Sequence, residues 1–296
     1  MIKKVLLSIL DFLLFSNLFI AICAVAQGLV TYHLLDVKPD KYILAIIFFG
    51  TIGIYNFSML LSKPKNPENS SFVRVRWIFS HHRLIISITL ISVLCLIPLG
   101  LLYLSIEAKL LMIFTAVLAL GYNIPFLTLN NQKIGLRNIP GIKLFLIALI
   151  WSISCVLLPV VELEQNYQIN ISSADTLLLV AKRFLFIAAI TIPFDIRDLF
   201  QDKLYALKTI PVMLGEKKAY IFCQFLLAGY LVLLLLFGHA PISDIVGLTF
   251  TLLITGWLIF KSSIKKNEYY YFFYLDGTML LQYLVLVLSS CIATSI

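Results

Sequence analysis

The chain has 296 residues, of which 61% are hydrophobic and only 13% charged, and its mean hydropathy is +0.99. Such usage excludes an ordinary soluble globular domain and matches a multi-span membrane protein. The net charge of +8 has no nucleic-acid recognition module beside it; the basic ends of membrane spans and attraction to anionic lipid headgroups account for it.

Nine apolar segments are long enough, or nearly so, to cross a hydrocarbon core of ~30 Å as helices. The first, about 5–32, follows Lys3 and Lys4 as a signal-peptide core would, but it runs too long for one and is expected to stay as a helix. It carries Asp11, close to the basic end, and Asn17, whose amide suits an interhelical hydrogen bond. The second segment, 42–62, leads into a basic loop, 63–83, that holds Lys63, Lys65, Arg74, Arg76, His81 and His82. This loop is longer than a hairpin needs, which makes it a candidate cover over a pocket.

The third segment, 84–105, is uninterrupted by charge, whereas the fourth, 110–128, is broken in its second half by Gly121, Tyr122, Asn123 and Pro125. The fifth, 142–161, is followed by an acidic loop, 162–175. The sixth, 176–194, carries Lys182 and Arg183, which are expected to snorkel to an interface. Three more follow at 218–238, 244–260 and 271–293, the last entered by Asp276. With the N-terminus cytoplasmic, 18 of the 23 Lys and Arg residues fall on that side, as the positive-inside rule requires. The five cysteines lie in different spans, with no metal or disulfide spacing.

Between the sixth and seventh spans runs "DIRDLFQDKLYALKTIPVMLG", 195–215. If 195–202 is helical, Asp195, Asp198 and Asp202 stand at i, i+3 and i+7, within an arc of about 60°, while Arg197 points away. Three carboxylates gathered on one face repel one another unless a cation neutralises them. A solvated helix end paired with Arg197, Lys203 and Lys208 is one reading, and an ion pathway is another. A third is magnesium, which binds hard oxygens and commonly combines one or two carboxylates with substrate phosphates.

The order D-x-x-D-x-x-x-D followed by T-x-P-x-x-x-G resembles the second aspartate motif of the UbiA-type intramembrane prenyltransferases. Asp195, Asp198 and Asp202 match its acids, Thr209, Pro211 and Gly215 match its tail, and Lys208 takes a commonly basic position. "GYNIPFLTLNNQKIGLRNIPGIKLFLIALIW", 121–151, is similar to the end of the family's fourth helix and the start of its fifth. The resemblance implies an all-α membrane protein, one domain over 1–296, with nine transmembrane helices forming a bundle around a central cavity. It further implies Mg²⁺ on Asp195, Asp198 and Asp202, a polyprenyl diphosphate as donor, and a hydrophobic acceptor that takes the prenyl group as diphosphate leaves. Tyr122 and Asn123 would contact the isoprenoid or the phosphate end.

The family's first motif, N-D-x-x-D-x-x-x-D, falls on "YNFSMLLSKPKNPE", 55–68, where Asn56 remains but Phe57, Leu60 and Pro64 replace the acids. The cover-loop cations Lys63, Lys65, Arg74 and Arg76 can compensate by binding phosphate oxygens directly, or they can serve topology alone. A non-catalytic lipid-binding or interaction protein of the same build is the alternative that the lost acids leave open. A bacterial inner membrane is the expected location.

Overall fold

The computed structural model describes residues 2–124, 127–129, 132–134, 141–204, 208–237, 240–263 and 265–295. It is almost wholly helical, because a segment in hydrocarbon must satisfy its backbone polar groups internally. The helices are α1 (Ile2–Phe15), α2 (Leu18–Leu34), α3 (Lys41–Leu61), α4 (Val73–Ser80), α5 (His82–Tyr103), α6 (Ile106–Asn123) and α7 (Ile142–Ser152). There follow α8 (Leu158–Asn166), α9 (Ser173–Arg197), α10 (Leu199–Leu204), α11 (Ile210–Leu214), α12 (Glu216–Phe237), α13 (Ile242–Lys261) and α14 (Asp276–Ser295). A π turn at Ile153–Leu157 joins α7 to α8, and another at Tyr270–Leu275 leads into α14. One departure from the all-helical expectation is a small antiparallel hairpin, β1 (Leu127–Leu129) with β2 (Gln132–Ile134), which cuts short the fourth expected span.

Among the described residues, seven helical stretches are long and apolar enough to cross a membrane, and α1 with α2 makes an eighth if that bent pair is one span. The chain is therefore an integral, multi-pass membrane protein. The first expected span is not one straight helix. It breaks at Ser16 and Asn17, where Asn17 takes a left-handed conformation (φ 66°), and the axes of the two halves differ by 62°.

The spans pack in a closed ring: α2 on α3, α3 on α5 and α6, α6 on α7 and α8, α7 on α9, then α12, α13 and α14, which returns to α2. Close approach needs small residues. A Cβ on Gly28 of α2 would meet Ile47 Cδ1 of α3 at 3.0 Å. Outward faces, such as Leu94, Leu101 and Leu102 of α5, stay apolar and exposed, as lipid contact demands.

Arg183 does not snorkel. It is buried in the bundle, where Nη2 donates to the Gln27 carbonyl at 2.8 Å and to Thr31 Oγ1 at 3.3 Å. Lys182 is buried as well, in the wall of a cavity that also includes Asp36 and Asp175.

Candidate active site

The aspartate segment is not one helix. α9 ends at Arg197, Asp198 caps it with φ −89° and ψ 6°, and α10 starts at Leu199. About one turn upstream, Pro193 removes an amide donor, so the Ala189 carbonyl loses its i+4 partner. The three carboxylates therefore diverge. Asp195 Oδ1 lies 2.6 Å from Lys143 Nζ of α7, and Asp202 Oδ2 lies 3.9 Å from the same ammonium. Asp198 is instead gripped by both forks of Arg197, with Nε to Oδ1 at 2.8 Å and Nη2 to Oδ2 at 2.9 Å. Arg197 does not point away from the acids: its long side chain turns back from the helix end into the same cavity.

The tail of the motif explains its own residues. Thr209 Oγ1 donates to Asp202 Oδ2 at 3.1 Å, Pro211 opens α11, and the Gly215 amide closes it by donating to the Pro211 carbonyl at 3.0 Å. Gly215 sits at φ 82° and ψ 159°, a region essentially restricted to glycine. Burial pushes the Asp202 carboxyl above its ordinary pKa, while Lys143 and Thr209 pull in the other direction.

A cavity of about 230 Å³ gathers these groups. Its wall includes Asp195, Asp198 and Asp276 together with Arg74, Lys143 and Arg197, flanked by Tyr55, Trp151, Phe194 and Phe272. Arg74 comes from the first turn of α4, whose amides at Val73 and Arg74 both donate to the Glu268 carboxylate, at 2.6 and 3.0 Å. Arg74 Nη2 donates to Asn17 Oδ1 at 2.5 Å, and Asn17 Nδ2 donates to Asn56 Oδ1 at 2.7 Å. Burial and the nearby Arg197 push the Arg74 guanidinium down to about 10, which leaves it charged at neutral pH.

Behind this charged end lie two further cavities, of about 220 and 110 Å³, mostly apolar. Tyr55 and Trp151 border all three. Ala119 and Tyr122 line one, and Ile47, Leu96 and Met112 line the other.

The residues singled out from sequence are thus sorted. Asp195, Asp198 and Arg74 meet in the charged cavity, and Tyr122 borders an apolar one. Asp202 is buried behind Lys143 and Thr209. Asn56 is fully buried and reaches the cavity only through Asn17. Lys63 is exposed over the Phe79 ring, Arg76 is exposed and donates to the Ser70 carbonyl, and Lys208 is exposed with its carbonyl accepting from the Gly141 amide. The Asn123 side chain lies outside the described residues. Lys143, Arg197, Asn17, Tyr55 and Asp276 are cavity residues to which sequence reasoning gave no binding role.

The hard carboxylate oxygens are of the chemical type that Mg²⁺ takes. They are nonetheless held by Lys143 and Arg197, and no three acid, His or Cys groups converge on a metal position among the described residues. The set fits a divalent ion only as one that arrives with further oxygen ligands and competes with the two protein cations for the carboxylates that it takes.

No family model and no curated protein matches the chain by sequence. Solved structures do. A UbiA homolog from Archaeoglobus fulgidus bound to GPP and Mg²⁺ superposes with a TM-score of 0.62 at 13% identity, over 94% of this chain and 99% of that one. The apo UbiA homolog from Aeropyrum pernix K1 gives 0.61 at 14% identity, over 93% and 98%. A digeranylgeranylglyceryl phosphate synthase gives 0.56 at 15% identity, over 95% and 98%. With identity this low and coverage this complete, the likeness is one of architecture, and the chain has the fold of the UbiA homologs.

Proposed function

We propose that this chain is a membrane prenyltransferase, taking a prenyl group from a polyprenyl diphosphate to a lipid-soluble acceptor and releasing diphosphate. The observation that carries this reading is that one charged cavity and two mostly apolar ones lie side by side with Tyr55 and Trp151 as shared wall residues, which suits a molecule with an anionic head and a hydrocarbon tail. Solved structures of the same fold bind GPP or DMAPP with Mg²⁺.

In this mechanism the diphosphate enters between Arg74, Lys143 and Arg197, whose charges stabilise the oxygens that receive the electron pair as the allylic carbon–oxygen bond breaks. Asp195 and Asp198 hold Lys143 and Arg197 in place until then. Tyr55, Trp151, Phe194 and Phe272 line the space with aromatic rings, which exclude water, and the rings of Tyr55 and Trp151, between the charged and apolar cavities, would stabilise a carbocation. The acceptor carbon or oxygen then bonds to the allylic carbon and gives up its proton to an oxygen of the released diphosphate. Mg²⁺, shared by Asp195, Asp198 and Asp202 with the diphosphate, would supply further neutralisation of the leaving group. Asp202 with Thr209 would fix the inner edge of that set.

Residues 1–296 act in this reading as one transmembrane domain, with α6 as the ninth span and the N-terminus cytoplasmic. An inner bacterial membrane is the proposed setting. The test is diphosphate release from geranylgeranyl diphosphate by detergent-purified protein, given Mg²⁺ and a panel of aromatic, glycerol-type and sugar-type acceptors. Asp198→Ala should lower turnover per folded protein about 10²-fold or more, beyond any fall in unfolding temperature from freeing Arg197. Release that the substitution leaves untouched would count against the assignment.

One observation favours a second reading, a lipid-binding protein without turnover. The positions of the first acidic motif hold Phe57, Leu60 and Pro64, and the remaining acids are already engaged by protein cations. Tight binding of the diphosphate lipid without release across the whole panel would select it.

A further inference from the structure

Arg74 and Arg197 reach the cavity from elements far apart in sequence, yet both stand over one ring. The Arg74 Cζ is 4.5 Å from the Phe272 centroid and the Arg197 Cζ is 5.2 Å from it. Arg197 is further enclosed by Phe72, Phe194 and Tyr271, with ring centroids at 5.3 to 5.6 Å. Each guanidinium keeps a buried donor without a partner, Nε on Arg74 and Nη1 on Arg197. Arg74 makes no salt bridge among the described residues, and its only side-chain hydrogen bond there runs to a neutral amide. Unsatisfied buried donors on a cation are costly, and a ligand that relieves both must offer more than one acceptor oxygen and carry negative charge. A carboxylate is satisfied by a single guanidinium fork. The open Nε of Arg74 and the open Nη1 of Arg197, whose other donors already hold Asp198, match the more numerous oxygens of a diphosphate, with Lys143 beside them.

We infer that Arg74 and Arg197 form a two-guanidinium clamp that holds a diphosphate group without requiring a metal, with Asn17 and Asn56 as the positioning residues of Arg74. The inference rests on the proposed head-group role of this cavity. It explains why Asn56 is buried with no place in the cavity wall: it holds Asn17, and Asn17 orients the arginine.

The test is calorimetric titration of the detergent-purified full chain with inorganic pyrophosphate, inorganic phosphate and geranyl diphosphate, in excess EDTA and in excess Mg²⁺. Pyrophosphate should bind in EDTA, and at least 10-fold more tightly than phosphate. Arg74→Ala should weaken pyrophosphate binding about 10- to 100-fold in both conditions. Arg74→Lys, which keeps the charge and loses the fork, should fall between and guards against misfolding of the alanine variant. Arg76→Ala, on the exposed face of the same helix, should bind as the parent does. Asn56→Ala should weaken binding in the parent and add nothing to Arg74→Ala, a pattern that general loosening of the fold would not give. Binding that needs Mg²⁺ and ignores Arg74→Ala overturns the clamp and leaves the head-group site standing. Equal affinity for phosphate and pyrophosphate also overturns it. Absence of pyrophosphate and geranyl diphosphate binding in both conditions overturns the clamp and the head-group reading together.

Discussion

Lys143 serves two carboxylates from the start of α7, in direct contact with Asp195 and within 3.9 Å of Asp202. All three groups are largely removed from solvent, so deleting the ammonium leaves two acids without their counter-charge. Lys143→Met should cost on the order of 3 kcal/mol and lower the apparent Tm in detergent, and adding Asp195→Asn should restore part of the loss. An unchanged Tm for the single variant would show that the acids find solvent or another cation instead. The acids themselves are legible in the sequence because their order is local. Lys143 is not, since nothing in the segment 195–215 points to a residue on another helix. Arg197 is misread for a different reason: helical projection carries it away from Asp195, but the helix stops at that residue and its flexible side chain folds back. Arg74 is visible in the sequence as one of several basic residues in the cover loop. Only the capping of α4 by Glu268 and the bond to Asn17 separate it from exposed Lys63 and Arg76.

At the scale of elements, α4 and α11 are short helices fixed by single devices. Two amides of α4 share the Glu268 carboxylate, a helix start of the kind that N-terminal acids favour. Glu268→Ala should release the first turn of α4, at a cost of about 1–2 kcal/mol, and raise hydrogen exchange at Val73 and Arg74. Protection equal to that of the parent would mean that packing alone seats the helix. α11 ends on Gly215, whose backbone lies where a Cβ is strained although the space around it is open. Gly215→Ala should therefore destabilise by about 1–3 kcal/mol through backbone strain alone, measurable as a Tm shift. The spans were legible as apolar runs, and the final turns were not. π turns at Ile153–Leu157 and Tyr270–Leu275, and the break at Ser16 and Asn17, leave no hydropathy signal because apolar composition is the same on both sides of them.

Over the whole molecule, charge asymmetry and the closed ring of spans describe one bundle with its charged cavity towards the basic side. If α6 crosses as the ninth span, the two termini lie on opposite faces. A C-terminal reporter active only outside the cytoplasm should then be active, and a cytoplasmic signal would remove α6 or α1 from the count. The bend between α1 and α2 carries a further consequence. Leu14, Asn17, Phe19 and Ile20 around that bend form part of the charged cavity's wall, while Val5, Leu6 and Ile9 of α1 turn outward. The cavity is therefore bordered by a stretch of the ring that veers by 62° from its neighbour. In the proposed reaction, a tailed acceptor dissolved in the bilayer would reach that border by two-dimensional diffusion. Turnover in proteoliposomes should accordingly follow the acceptor's mole fraction among the lipids, and diluting the vesicles in buffer should leave the rate per protein unchanged.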